Sequence, residues 1–268
     1  MEKDSDTSNS HSRGTCNRGR GRSGHRDRGG RQSGSQPRKD FTHFFAFTMY
    51  KYAQAFGQVQ DQFKAFVLAN YPQHAKDYSF QSWRCQHLTI LMLYLYTEDE
   101  KKLASAAINN AEAEIRQIAG GPIKIRLTTI VSFDDQLDKR VFFLAVDPTY
   151  GDYHKFIQLE DCLIRHAQSL GLAPKQQGGK ENLMVFNDHT GNPGLYYTKP
   201  HATFMRVTGT KDEKNLKRYI MPKIVQDFND KMLTDGFGDV MLDTVDICIR
   251  RDHNADGHYN HMNRMLLN

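Results

Sequence analysis

The chain has 268 residues, of which 38% are hydrophobic and 25% are charged, enough for one large domain or two small ones with a hydrophobic core. No apolar run approaches the ~18–20 residues of a membrane-spanning helix, and the polar N-terminus lacks the apolar segment of a secretory signal, so we expect neither a membrane protein nor a secreted one. Residues 1–40 carry ten Lys and Arg against five Asp and Glu. Their net charge of +5 equals that of the whole chain, so residues 41–268 are neutral.

Residues 1–39 form an arm that is rich in Arg, Gly and Ser and almost free of apolar residues. We expect this arm to be disordered, because it cannot bury enough apolar surface to offset the entropy of ordering. Arg beside Gly is typical of segments that bind single-stranded nucleic acid through charge and guanidinium stacking. Weak, non-specific RNA binding is the favoured function, and a solvated tail that only aids solubility is the alternative.

The first half of the folded region, predicted to span residues 40–268, alternates strands and helices. FTHFFAFTMY has the composition of a strand, and apolar residues from Phe56 to Val67 recur with helical spacing. Residues 83–96 form a long apolar run that predicts a strand inside a sheet. Thr97 and Glu100 form a capping box, which predicts a helix through about residue 118.

IKIRLTTIVSF and KRVFFLAV are predicted to be two strands of a hairpin, and apolar residues from Phe156 to Leu170 mark a third helix that ends at Gly171. Residues 174–194 are a long connection, expected to be a flap or a mobile insertion. PHATFMRV is a further strand, Pro222 is predicted to open a helix through Met232, and VMLDTVDICIR and GHYNHMNRML are the last strands.

The predicted elements follow the order β-α-β-α-β-β and then α-β-α-β-β. This repeated order predicts an α+β fold of two pseudo-symmetric lobes, whose antiparallel sheets line a central cleft and whose helices lie outside.

Each half of the chain contains one His-x-Thr sequence on a predicted strand, with His87 and Thr89 in the first and His201 and Thr203 in the second. Residues two apart in a strand point to the same face, so each strand would present an imidazole and a hydroxyl together. Two such strands side by side would suit a phosphate ester, with one His taking a proton and the other giving one. The residues predicted to face away are Leu88, Ile90, Met92, Ala202 and Phe204.

Chance is the alternative explanation for these motifs. About one His-x-Thr match is expected at random in a chain of this composition. Two matches, both on predicted strands and half a chain apart, are harder to attribute to chance, and an active site and an incidental pair both stay open.

Cysteines and histidines give no metal-binding pattern. Cys85, Cys162 and Cys248 fall on elements expected to be packed, no CxxC pair includes Cys16, and free buried thiols are therefore expected. The three histidines near the C-terminus lack Cys or carboxylate partners at finger-like spacing, so we expect no metal. These histidines are His253, His258 and His261.

The motifs and their flanks resemble the 2H phosphoesterase superfamily, which includes bacterial 2'-5' RNA ligase-like proteins. More specifically, the chain resembles the central phosphoesterase-like domain of the nuclear-targeted A-kinase anchoring proteins. The resemblance covers roughly residues 41–262 and rests on HLTILMLYLYTEDE, KPHATFMRV, FGDVMLDTVDIC and GHYNH.

This resemblance implies two lobes, a cleft lined by both motifs, and phosphodiester chemistry without metal or cofactor on 2',3'-cyclic or 2'-5'-linked nucleotides or on RNA ends. It assigns catalysis to His87, Thr89, His201 and Thr203. A nucleotide- or RNA-binding module with little turnover is the alternative function. The anchoring proteins carry a kinase-binding helix beyond this domain, and RMLLN is too short to be one, so kinase anchoring is not expected.

Base recognition is assigned by strand position only. Phe45, Tyr197 and Tyr259 are candidates for stacking a base, although core packing is the favoured role of Phe45. His43 and His258 are expected to be ordinary strand histidines. We expect a monomer that acts on RNA or nucleotides in the nucleus, the cytoplasm or both.

Overall fold

The computed structural model describes five parts of the chain. They are residues 40–133, 139–172, 183–186, 195–209 and 213–268. Three predictions lie wholly or largely outside these ranges: the disorder of residues 1–39, the turn at Asp134 and Asp135, and the character of the 174–194 connection. Within the described ranges, every helix is too short or too polar to span a bilayer.

Eleven strands occur in the described residues. They are β1 (His43–Thr48), β2 (Tyr78–Phe80), β3 (His87–Leu93), β4 (Ile123–Ser132), β5 (Val141–Val146), β6 (Leu183–Phe186), β7 (Leu195–Thr198), β8 (His201–Val207), β9 (Gly238–Leu242), β10 (Thr244–His253) and β11 (Tyr259–Leu266). The helices are α1 (Ala53–Asn70), α2 (Glu98–Ala119), α3 (Tyr153–Ser169), α4 (Glu213–Asn215) and α5 (Met221–Met232), with a π-helical turn at Leu216–Ile220. Short 3-10 turns occur at Tyr50–Tyr52, Pro72–His74 and Trp83–Cys85.

One antiparallel sheet of nine strands organises the fold. Its strand order is β11-β10-β1-β3-β8-β5-β4-β9, with β2 paired to β8, while β6 and β7 form a separate pair. The two motif strands, β3 and β8, lie at its centre and join its two halves through the pair Leu88 and Ala202. The predicted α+β class, with antiparallel strands and helices outside, is confirmed.

The helices cover the apolar face of the sheet. Phe45 and Phe47 of β1 belong to the main core together with Phe56 and Phe63 of α1. Burial of this many aromatic and aliphatic side chains is the main favourable term in folding. A second, smaller cluster, which contains Phe44, lies apart from this core. The opposite face of the sheet is therefore left for the site.

The start of α2 follows the predicted capping box. The Thr97 hydroxyl accepts a hydrogen bond from the backbone N–H of Glu100 at 3.2 Å, and the Glu100 carboxylate accepts one from the N–H of Thr97 at 2.8 Å. Gly120 ends the helix in the left-handed conformation, with φ of 64°, which favours glycine. These local signals explain why both ends of α2 were predictable.

Three boundaries differ from the prediction. The run 83–96 begins with a 3-10 turn, so the strand starts only at His87, and the run VMLDTVDICIR is divided into β9 and β10 at Asp243. Pro222 lies in the first turn of α5, which ends at Met232 as predicted, but helical structure already begins at Glu213 and continues into α5. A proline inside a helix crowds the carbonyl four residues before it, here that of Arg218. The wider π turn at Leu216–Ile220 contains this residue, and such turns accommodate interruptions of the α-helical ladder.

Candidate active site

A bulge sets which residues of β3 face the site. Phe45 of β1 pairs with Leu91, but the next residue, Ala46, pairs with Thr89, so β3 has one extra residue at this point. Ile90 and Leu91 are consequently both buried in the core. Beyond the extra residue, each side chain of β3 points to the face opposite to the one that simple alternation predicts. Met92, predicted to face away from the motif, packs instead in the small cluster with Phe44.

Strand β8 has a bulge directly after Thr203, just as β3 has one directly after Thr89. Phe142 of β5 pairs with Met205, whereas Phe143 pairs with Thr203. Phe204 and Met205 are both buried, as Ile90 and Leu91 are in β3. Arg206 therefore returns to the face of the motif and is exposed there. Sequence reasoning missed this arginine, because the simple alternation of a strand places it on the wrong side.

The two motifs face each other across the centre of the sheet. Leu88 pairs directly with Ala202 in the antiparallel arrangement. One residue to either side of this pair, His87 lies across from Thr203 and Thr89 lies across from His201. Each imidazole thus has the hydroxyl of the other motif as its cross-strand neighbour, and the four side chains surround one small area. The side-by-side arrangement that the phosphate-ester hypothesis requires is thus present.

Both imidazoles are oriented by the same local contact. Nδ1 of His87 donates to the carbonyl of Cys85 at 2.8 Å, and Nδ1 of His201 donates to the carbonyl of Lys199 at 2.7 Å. A carbonyl only accepts, so Nδ1 carries the proton in both rings. In the neutral form, Nε2 of each ring therefore has a free lone pair and can act as a base, and in the charged form it can act as an acid.

Aromatic rings border both histidines. The His87 ring lies 4.8 Å from that of Phe44 and 5.5 Å from that of Tyr259. The His201 ring lies 5.0 Å from that of Phe143 and 5.2 Å from that of Phe133. Rings at these distances hold an imidazole in place and exclude water from its sides.

Burial makes both histidines weak bases. Burial, reinforced by the neighbouring charge of His201, lowers the pKa of His87 to about 4. Burial also lowers the pKa of His201, and the nearby Lys199 ammonium acts in the same direction. Both imidazoles are therefore neutral at pH 7.

Comparison with known proteins identifies the fold that carries these motifs. A sequence model of the AKAP7 2'5' RNA ligase-like domain matches residues 41–267. The chain belongs to this family. The predicted resemblance to the phosphoesterase-like domain of the A-kinase anchoring proteins is thereby confirmed. A comparison with curated proteins gives no significant match.

Several solved structures are similar to this member of the 2'5' RNA ligase-like family. TT0787 of Thermus thermophilus is 15% identical with a TM-score of 0.46, and the match covers 84% of this chain and 97% of that one. E. coli LigT complexed with 3'-AMP is 13% identical with a TM-score of 0.43, covering 85% and 98%. Kluyveromyces marxianus Usb1 with uridine monophosphate is 10% identical with a TM-score of 0.43, covering 85% and 96%.

A buried polar network adjoins the His87 side of the site in this family member. Thr48 pairs directly with His87 across β1 and β3. Its hydroxyl donates to the carboxylate of Asp246, which is fully buried. Arg264 donates to both oxygens of the same carboxylate, at 2.6 and 3.4 Å, and its guanidinium lies 5.5 Å from the centre of the Tyr50 ring. This network neutralises a buried charge beside the site, and no sequence motif pointed to it.

The three candidates for base recognition fall in different places. Phe45 is fully buried in the main core, so it cannot reach a base, and the neighbouring Phe44 is the ring beside His87. Tyr259 lies at the site, and its hydroxyl accepts a hydrogen bond from Gln81 at 3.2 Å. Tyr197 belongs to β7, and its side chain lies outside the described part of the structure.

The two histidines expected to be ordinary have different surroundings. His43 is buried and bonds the Thr42 hydroxyl through Nδ1 at 2.8 Å. The His258 ring packs 4.4 Å from that of Tyr50, and its Nδ1 donates to the carbonyl of Arg84. Each has a structural contact that accounts for its position.

Cys85, Cys162 and Cys248 are free and buried, as predicted, and Cys16 lies outside the described residues. Among the described residues, one cluster consists of side chains that could bind a metal ion. Its members are Glu114, Cys162 and His166, whose ligand atoms lie within 4.8 Å of one another. This cluster joins α2 to α3 and does not include the motif residues. Its groups bond one another, with Nε2 of His166 at 3.3 Å from the Glu114 carboxylate.

Proposed function

We propose that the chain is a metal-independent phosphodiesterase that acts on 2',3'-cyclic or 2'-5'-linked nucleotides or on RNA ends. The observation that carries this proposal is the pair of imidazoles on adjacent strands, each with Nδ1 bonded to its own backbone and Nε2 free for proton transfer. Membership of the 2'5' RNA ligase-like family supports the same chemistry.

In the proposed mechanism, Nε2 of one neutral histidine removes a proton from the nucleophile, which is water or a ribose 2'-hydroxyl. The nucleophile forms a bond to phosphorus, and the bond from phosphorus to the leaving oxygen breaks. Nε2–H of the other, charged histidine protonates that leaving oxygen. The hydroxyls of Thr89 and Thr203 donate to the phosphoryl oxygens, and these bonds strengthen as negative charge develops.

The substrate itself supplies the electrostatic conditions for this mechanism. The pKa values of His87 and His201 are lowered by burial, so a charged acid is scarce at pH 7 before substrate binds. A phosphate between the rings brings a negative charge within a few Å, and such a charge favours the protonated imidazole. Substrate binding and protonation of one histidine are therefore coupled.

The test is to substitute each histidine separately. His87→Ala and His201→Ala should each lower turnover of 2',3'-cyclic and 2'-5'-linked nucleotides by about 10²–10⁴-fold, the usual contribution of one acid–base group. The matched control is His154→Ala, which changes an exposed histidine on α3 and should keep full activity. Product release is measured by chromatography with purified full-length protein.

The same assay includes EDTA and a pH series. Turnover should survive EDTA, and kcat/KM should follow a bell-shaped pH dependence, because one histidine must be neutral and the other charged. Unchanged turnover in both alanine variants would exclude the proposed mechanism.

A nucleotide- or RNA-binding module with little turnover is the second candidate. The lowered pKa of both histidines favours it, because a protonated acid is scarce at pH 7 and cleavage is then slow. A mononucleotide or 2'-5'-linked dinucleotide that binds and is recovered uncut from the wild-type protein would support the module. Action on RNA in either form fits the expected location in the nucleus, the cytoplasm or both.

A further inference from the structure

Three aromatic rings form an exposed stack at the end of β3. The rings of Phe41 and Tyr94 lie 4.2 Å apart and are inclined by 25°, and those of Tyr94 and Tyr96 lie 6.4 Å apart and are inclined by 22°. Tyr94 is 36% exposed and Tyr96 is 47% exposed, so both are among the most exposed large hydrophobic residues of the described chain. We call these three residues the aromatic platform.

The platform lies on the same face of the sheet as the candidate active site. After the bulge in β3, Leu93 and Leu95 are buried while Met92, Tyr94 and Tyr96 are not. The alternation thus continues past the last residue of the strand and keeps both tyrosines on the side of the motif. From Thr89 to Tyr96 the chain advances by about 20 Å. Side chains therefore continue from the site to the platform along one extended segment.

Backbone contacts hold the platform in this position. The Thr42 hydroxyl accepts from the N–H of Leu95 at 2.8 Å and donates to its carbonyl at 3.2 Å. The Tyr96 hydroxyl donates to the carbonyl of Asp40. The stack is therefore formed before any ligand binds, which reduces the entropy lost on binding.

We propose that the aromatic platform binds unpaired bases of a single-stranded RNA whose phosphodiester lies at the histidine pair. This inference rests on the proposed function and specifies its substrate as an oligonucleotide rather than a mononucleotide. Planar exposed rings bind nucleic-acid bases by stacking, and this stacking tolerates any base sequence because every base has a π-face. Paired bases are stacked within a duplex and cannot reach such rings, so the substrate is single-stranded.

The platform borders charges of both signs, since the carboxylates of Asp40 and Glu100 lie near Tyr96 and the Arg251 guanidinium lies beside that of Asp40. Asp40, which Tyr96 contacts, follows directly on residues 1–39 with their ten Lys and Arg. The Arg251 side chain is 74% exposed and lies 4.0 Å from the Asp40 carboxylate. The ten Lys and Arg that precede Asp40 in the sequence favour a nucleic acid as the occupant, because cations attract phosphates while aromatic rings bind bases.

The experiment compares a long and a short ligand in a protein that cannot cleave either. In the full-length His201→Ala background, binding of a labelled single-stranded RNA of about ten nucleotides and of a 2'-5'-linked dinucleotide is measured by fluorescence anisotropy. Replacing Tyr94 and Tyr96 together by Ala should weaken binding of the long RNA by about tenfold or more, the effect of losing one or two stacked bases. Binding of the dinucleotide should not change.

Two matched variants control for folding and for general loss of a tyrosine. Tyr94→Phe with Tyr96→Phe keeps the rings and loses only the hydroxyls, so it should retain the affinity for the long RNA. Tyr219→Ala removes a tyrosine that is 67% exposed on the π-helical turn, and it should also bind normally. Thermal unfolding of each variant verifies that the fold is intact.

The result that overturns the inference is an unchanged affinity for the long RNA in the alanine variant, or an equal weakening of both ligands. Failure of the proposed function gives a different pattern. In that case the wild-type protein cleaves neither ligand, although the long RNA still binds through the platform. If the wild-type protein cleaves the dinucleotide but the tyrosine substitutions do not change RNA binding, the proposed phosphodiesterase activity stands and the proposed role of the platform is wrong.

Discussion

The chemistry of the candidate site depends on two single hydrogen bonds. Each motif histidine uses Nδ1 to bond the carbonyl of the residue two positions before it. Since the acceptor is backbone, no side-chain substitution at Cys85 or Lys199 removes it. The orientation of each ring is thus determined by the approach of its own strand, which leaves Nε2 of both rings on the face that the two motifs share.

The lowered pKa of His87 predicts a pH dependence of stability. The unfolded imidazole takes up a proton near pH 6.5, but the folded one does so only near its pKa of about 4. Between these values the unfolded state binds more protons, so the free energy of unfolding falls as the pH falls through this window. At about pH 4.5 this amounts to a loss of about 2–3 kcal/mol that is absent at pH 7.

The measurement compares wild-type protein with His87→Gln by urea unfolding at about pH 7 and about pH 4.5. All other titrating groups contribute to both proteins, so the difference between their pH effects isolates His87. His87→Gln should lose less stability on acidification than the wild type. Parallel losses in the two proteins would show that the imidazole is not held neutral by the fold.

At the scale of elements, local sequence signals were predictable and contacts between elements were not. The Thr97 capping box and the glycine after α2 act within a few residues, so the sequence is sufficient to place that helix. The repeated order of elements predicted a cleft between two lobes, but it did not predict that β3 pairs with β8. The bulges after Thr89 and Thr203 depend on how a partner strand spaces its own residues, and the alternation in the sequence contains no sign of them.

The same limit explains the assignment of Phe45. The strand β1 was predicted, but its composition is aromatic on both faces, so the sequence could not decide between Phe44 and Phe45 for the ring beside His87. The π turn before Pro222 is a similar case, because it depends on residues preceding the proline that have no distinctive pattern.

The capping box of α2 supports a prediction about this element. Thr97→Ala removes the side-chain acceptor for the Glu100 N–H and should lower the free energy of unfolding by about 1 kcal/mol. Ser105→Ala, in the middle of the same helix, is the control and should leave stability unchanged or slightly higher, since Ala is the better helix former. Chemical denaturation of both variants is the measurement, and equal stabilities would mean that the cap contributes nothing in the folded protein.

At the scale of the whole molecule, the net positive charge and the two His-x-Thr motifs lie in different parts of the chain. Residues 41–268 contain both motifs and are neutral overall, whereas residues 1–40 contain the full net charge of +5. The net neutrality of residues 41–268 leaves local charges, such as the Lys199 ammonium near His201, to influence the motif histidines. Attraction of a polyanion by net charge is therefore expected from the N-terminal residues.

This division predicts how RNA binding depends on salt. Replacing the eight arginines of residues 1–39 by Gln should weaken binding of single-stranded RNA at low salt, and the loss should shrink as salt rises. Each phosphate contact contributes about −0.7 to the slope of log K against log salt for single strands, so the slope should become flatter by several contacts. Replacing Tyr94 and Tyr96 by Ala should instead lower the affinity without changing the slope, because stacking releases few counterions. Anisotropy titrations from about 50 to 200 mM salt separate the two effects. If the Gln substitutions leave the slope unchanged, residues 1–39 do not contribute to RNA binding.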